Sequence, residues 1–183
     1  MSAAVLEPRP SPYPALGRVV RPLDSGRTTS PFRDVMAHLA APVCVVTTGG
    51  DEPSGTTVSA VMSLSMQPEL IGVSLARTSA SLAAIRETGR FGVNLMAADQ
   101  VVQAMVFARS SGAGKLQQVA HRLESGIPRL LGTMGWVRCR VDAVHGVGDH
   151  LLVVGAVESA YFDAAAAPST YFGRTFGTHV PNA

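Results

Sequence analysis

From Thr57 to Met66 the chain alternates short hydroxyl side chains with apolar ones, and no charged residue occurs between Glu52 and Glu69. The period of two is that of a half-buried β-strand. Thr57, Ser59, Ser63 and Ser65 fall on one face, with Val61 as the exception, and Val58, Ala60, Met62, Leu64 and Met66 on the other. An ordinary solvated strand face carries charges, and serine is a mediocre strand former. A neutral, low, hydrogen-bonding surface suits a flat heteroaromatic ligand with polar edges. A lightly solvated edge or a subunit contact fits the same pattern.

The 183 residues suit one domain with a real core. Hydrophobic residues make up 46% of the chain, yet no apolar run is long enough for a membrane span. The apolar surplus predicts a homo-oligomer, by symmetry a homodimer. A net charge of +2 and only 5% aromatic residues leave no footprint for nucleic acid. No apolar secretory segment opens the sequence, so a cytoplasmic location is expected. Cys44 and Cys139 sit in separate apolar runs and read as buried thiols, with a disulfide unforced.

Residues 1–29, with prolines at 8, 10, 12, 14 and 22, read as an extended or disordered arm, and residues 30–183 as the folded domain. Ser30-Pro31 opens a helix whose apolar face is Phe32, Val35, Met36 and Leu39. Strands are predicted at Pro42–Thr48, Leu70–Ala76, Phe91–Met96, Gly135–Val144 and His150–Phe162. Helices are predicted at Ser79–Gly89 and from a cap at Asp99 to Arg109, and a loop at Ser110–Gly114. Hairpin-like strands with inserted helices imply a mainly β fold, an antiparallel barrel with peripheral helices.

Arg77-Thr78-Ser79-Ala80-Ser81 joins a strand to a helix. Free N–H groups, the positive end of the helix dipole and a guanidinium together favour an anion such as a phosphate, while plain capping by Thr78 or Ser79 explains the same residues. Asn94 is an amide inside an apolar strand and must find partners there, either on a ligand edge or on a loop. Asp149-His150 lies at a hairpin turn, either solvated or with His150 pointing into a site. The histidines have no metal-ligand spacing, so no metal is expected. Gly112-Ala113-Gly114-Lys115 lacks both the first glycine and the final hydroxyl of a phosphate-binding loop.

In order and spacing, several elements resemble the flavin reductase family with its split-barrel, FMN-binding-like fold, over roughly residues 31–176. They are Phe32-Arg33-Asp34, Val45-Val46-Thr47-Thr48, Gly55 through Pro68, Ala76-Arg77-Thr78 with Ser81, Phe91-Gly92-Val93-Asn94-Leu95, Phe107-Ala108, Gly148-Asp149-His150 and Tyr171-Phe172. The resemblance implies a homodimeric NAD(P)H:flavin oxidoreductase. It would reduce FAD or FMN with NADH or NADPH, NADH being favoured, and hand reduced flavin to a separate monooxygenase. By position, Thr57, Val58, Ser59 and Ala60 would meet the ring and ribityl chain, with Ser65 continuing that surface. Arg77, Thr78 and Ser81 would sit at the phosphate end. Phe91 and Asn94 would line the flavin site, and His150 would lie near the nicotinamide. Gly114-Lys115-Leu116 stands where relatives carry an acidic residue, a lysine and an aromatic. The alternatives are a non-enzymatic flavin-binding electron carrier and a split-barrel flavin-dependent oxidase.

Overall fold

Ser59 and Ala60 are all that separates two strands lying at opposite edges of one seven-stranded sheet. The structure, a computed structural model, describes residues 30–109 and 114–180. The expected arm at 1–29 and most of the expected loop at 110–114 lie outside the described residues. The chain divides into two units, residues 1–36 and 37–183. Helix α1 (Pro31–Ala37) falls in the first save for its last residue; Arg33 N–H donates to the Ser30 carbonyl, and none of the helix residues is buried.

In the second unit the strands are β1 (Ala41–Pro42), β2 (Cys44–Thr48), β3 (Ser54–Val58), β4 (Val61–Met66), β5 (Glu69–Ala76), β6 (Arg90–Leu95), β7 (His121–Glu124), β8 (Ile127–Leu130), β9 (Gly135–Val147), β10 (His150–Phe162), β11 (Ser169–Phe172) and β12 (Thr175–Thr178). Helix α2 (Ala80–Thr88) lies between β5 and β6 in sequence, and α3 (Val101–Arg109) follows β6. The main sheet runs β3-β2-β6-β9-β10-β5-β4, with every pairing antiparallel.

In a flat sheet, six strand spacings would hold β3 and β4 roughly 29 Å apart. The link from Val58 to Val61 can span only about 11 Å. The sheet must therefore curl until its edges meet, and no ladder joins β3 to β4 among the described residues. This is a split barrel. The link is pinned by Ser74 N–H donating to the Ala60 carbonyl at 3.0 Å. The single strand expected over Thr57–Met66 is thus two strands, because the alternation runs on unchanged through the corner.

Strand β2 is buried on both faces, which explains its unbroken β-branched run. Cys44 and Val46 join Val73, Leu82, Ile85, Phe91, Cys139 and Val153 in one cluster. Val43 and Val45 join Met96, Ala104, Phe107 and Leu130 in another. Both thiols are free, and burial pushes each pKa up to about 12. Helix α2 begins with the Ser79 side chain accepting from Leu82 N–H, and it ends at Gly89 in the left-handed region. The start of α3 is held by Gln100, whose side chain accepts from Ala97 N–H and donates to the Leu131 carbonyl.

Candidate active site

Where the sheet edges meet, a groove of about 310 Å³ opens between Thr56–Ala60, Ser74–Ala76, Ser79 and His150. Its lining has no Asp, Glu, Lys or Arg, and most of its side chains are small. The curl creates it: residues remote in sequence converge because β3 and β5 face each other across the corner. His150 opens β10 opposite Ala76, so the ladder itself places the ring at the groove.

Nδ1 of His150 donates to Oδ1 of Asp149 at 2.8 Å. That leaves Nε2 for an occupant of the groove. The hydrogen bond and the charge of His150 hold the Asp149 carboxyl below its usual range, and Arg77 adds to this. Arg77 grips the same turn: its Nε donates to the Gly148 carbonyl at 3.0 Å, and its N–H to the Asp149 carbonyl at 3.0 Å. Gly148 has φ 57°, a conformation that suits glycine at this turn.

The structure gathers Thr57, Val58, Ser59, Ala60 and His150 around the groove. The Thr57 hydroxyl itself is committed to the Ala104 carbonyl of α3 at 2.6 Å. Ser65 lies on β4, where its Oγ accepts from Gln67 N–H. Thr78 is exposed beside the α2 cap. Ser81 is buried and lines a neighbouring hollow.

Two expected site residues present no surface to a ligand. Phe91 is fully buried in the core of the curl. Asn94 is also fully buried. Its Nδ2 donates to the Val45 carbonyl and to Thr47 Oγ1, and its Oδ1 accepts from Leu130 N–H. Of the alternatives open for this amide, the structure shows the tie between strands β2, β6 and β8.

Thr56, Ser74, Leu75 and Ala76 also line the groove, as does Ser79, a residue of the anion-favouring turn at the start of α2. The N-cap signal of Ser79 was readable, but its neighbours depend on the register of β5 against β10. Among the described residues, no group of three His, Cys, Asp or Glu side chains is placed to hold a metal, and no helix is long and apolar enough to cross a membrane.

The flavin reductase like domain matches residues 36–179. The chain belongs to the flavin reductase family. Its relatives include the reductase component of a 4-nitrophenol 4-monooxygenase/4-nitrocatechol 2-monooxygenase from Rhodococcus opacus, 37% identical over 92% of this chain and 88% of that protein. An NADH-dependent flavin reductase from Rhodococcus sp. is 35% identical over 77% of this chain and 81% of that protein. Among solved structures, an NADH:FAD oxidoreductase from Streptomyces globisporus C-1027 superposes with a TM-score of 0.79 at 27% identity, covering 82% of this chain and 92% of that one. These flavin reductase folds share the mainly β architecture described above.

Proposed function

We propose that this chain is an NADH-dependent flavin reductase that binds FAD or FMN in the corner groove, reduces it and releases it to a separate flavin-dependent monooxygenase. The observation that carries the reading is the convergence of His150 with the uncharged Thr57–Ala60 segment in one groove, in a chain of this family. When bound, the flavin supplies the chemistry by accepting a hydride from the nicotinamide.

The residues present fit such a group. Small side chains at Ser59 and Ala60 let backbone N–H and C=O groups reach the polar rim of a flat ring, and Val58 offers it an apolar edge. Ser65 extends this surface along β4. Arg77, Thr78 and Ser81 serve the phosphate end, with α2 pointing its positive terminus there. Phe91 and Asn94 support the site from beneath. His150 orients the nicotinamide through Nε2, and Asp149 fixes the ring and its tautomer. Hydride transfer needs no strong acid or base, so the want of a carboxylate pair at the groove is consistent with this chemistry.

The active unit is proposed to be a homodimer. Met62, Leu64 and Met66 expose 48%, 41% and 73% of their surface on the edge strand β4, a row of apolar side chains that a second copy would cover. The cytoplasm is the proposed compartment, since it supplies reduced nicotinamide.

The deciding assay mixes purified protein with free flavin and NADH and follows reduced-nicotinamide absorbance. Consumption that depends on both flavin and protein supports the proposal. Flavin binding without NADH consumption would leave a carrier instead.

A further inference from the structure

Near its end β9 carries Gly146, and the turn that follows carries Gly148; the two glycines answer different demands. Gly148 opens the short loop between Val147 and His150, and its φ is 57°. Gly146 lies inside the ladder, opposite Leu151, and its φ is not in the left-handed region. Space explains this second glycine. A Cβ at Gly146 would stand 2.9 Å from Nη2 of Arg77.

Arg77 directly follows β5, and β10 lies between β5 and β9 in the sheet. To reach Gly146 its side chain must pass the start of β10. On the way Nε donates to the Gly148 carbonyl at 3.0 Å, while the backbone N–H donates to the Asp149 carbonyl at 3.0 Å. The guanidinium thus straps both strands of the hairpin at its tip. Gly146, Val147, Gly148 and Asp149 are all exposed, so burial does little to fix this tip. Among the described residues, the loop Gly148-Asp149 accepts hydrogen bonds from outside the hairpin only from Arg77.

The tip carries the Asp149–His150 pair. Its hydrogen bond is 2.8 Å long. A displacement of about 1 Å would take it out of range. The charge of Arg77 also favours the ionised carboxylate at that place. A lysine could not do the same work, because it has no donor along its stem to serve Gly148 while its head covers Gly146.

We infer that Arg77 is a positioning residue for the nicotinamide step: it straps the β9–β10 tip, fixes Asp149 and through it the His150 ring, and Gly146 stays bare to let the guanidinium pass. The inference rests on the reading of His150 as the residue that meets the nicotinamide. It gives Arg77 a task besides its service at the phosphate end. Riboflavin, which has no phosphate, separates the two tasks.

The test measures NADH oxidation with riboflavin and with FMN in wild type, Arg77→Ala, Gly146→Ala, His150→Ala and their pairs. Arg77→Ala should lower kcat/KM for NADH about fivefold with either flavin, while the riboflavin dissociation constant stays within about twofold. Gly146→Ala, which pushes the guanidinium aside, should give a similar loss, and joining the two should add little. In the His150→Ala background, Arg77→Ala should cost less than about twofold, because the ring it positions is gone. A loss confined to FMN would leave Arg77 with the phosphate alone. An undiminished loss without His150 would make Arg77 a general support of the fold. Either result would overturn the inference, as would wild-type kinetics in Arg77→Ala.

Imidazole nitrogen NMR reads the strap without turnover. The His150 signals should shift or broaden in Arg77→Ala and in Gly146→Ala. Those of His121, whose Nδ1 lies 2.9 Å from the Val119 carbonyl, should stay. An unmoved His150 spectrum overturns the inference even in an inactive protein. Absent NADH oxidation in wild type, with His150 signals that still move in the variants, would remove the reductase reading and leave the strap in place.

Discussion

His150 Nδ1 and Asp149 Oδ1 lie 2.8 Å apart at the tip of the β9–β10 hairpin, and Arg77 braces the same turn through the Gly148 carbonyl. The carboxyl pKa of Asp149 is depressed, chiefly by the hydrogen bond with His150. A depressed pKa means that the contribution of the ionised group is present above its unfolded value and is lost only as pH falls through the lower folded one. Asp149 therefore stays ionised over about pH 5 to 8, and it adds no pH dependence of its own there. An acid limb of the wild-type kcat profile in that window should persist in Asp149→Asn. Its disappearance in the variant would tie that limb to the coupled Asp149–His150 pair.

His150→Ala should lower kcat about tenfold or more, while the flavin dissociation constant stays within about twofold. The imidazole borders the groove, but most of the groove lining comes from other residues. Steady-state NADH oxidation and a fluorescence titration read the two quantities separately. A variant that turns over like wild type removes His150 from the reaction.

Asn94→Ala tests the support beneath the groove. The substitution deletes three buried hydrogen bonds and strands the Leu130 N–H in the interior, while the Val45 carbonyl keeps its place in the β2–β6 ladder. An orphaned buried donor costs about 1–3 kcal/mol, so a loss in that range is expected in denaturant unfolding of the flavin-free protein. If stability is unchanged while flavin affinity falls, the amide belongs to the ligand and not to the fold.

Much of this was readable from the chain because it depends on local period and capping. Ser79 and Gly89 delimit α2 through signals carried by those two residues. The double-faced burial of β2 shows in its unbroken run. The corner at Ser59–Ala60 was not readable, since two small residues continue the alternation and carry no turn signature. The β7–β8 hairpin was also missed. Pro128 interrupts the strand pattern, and its turn places Ser125 and Gly126 at φ 52° and 79°. Lys115 looked like a failed phosphate loop, and its burial depends on carbonyls from Gly55 and Phe107, which only the folded chain brings to it.

Gly155 marks where β10 must bend over the core. A Cβ there would sit 2.5 Å from Phe91 Cζ and 2.8 Å from Cys139 Cβ, next to a register shift against β9. Gly155→Ala should cost about 1–3 kcal/mol through overpacking. Phe91→Leu in the same chain should recover part of that loss, because it removes the ring atoms that clash. A thermal-unfolding double-mutant cycle measures the coupling; strict additivity would show that the two positions do not press on each other.

The exposed row on β4 bears on assembly. Met62 and Met66 each offer apolar surface on an edge strand, and such edges are normally covered or charged. If a second copy covers them, Met62→Glu with Met66→Glu buries two carboxylates without partners and should convert the dimer to monomer. Sedimentation velocity at several concentrations reads this directly, and far-ultraviolet circular dichroism checks that the monomer keeps its strands. NADH oxidation should fall with dimer content if the groove at the β3–β4 corner, one link away from this row, is completed by the second copy. Full activity in a folded monomer would confine the site to a single chain.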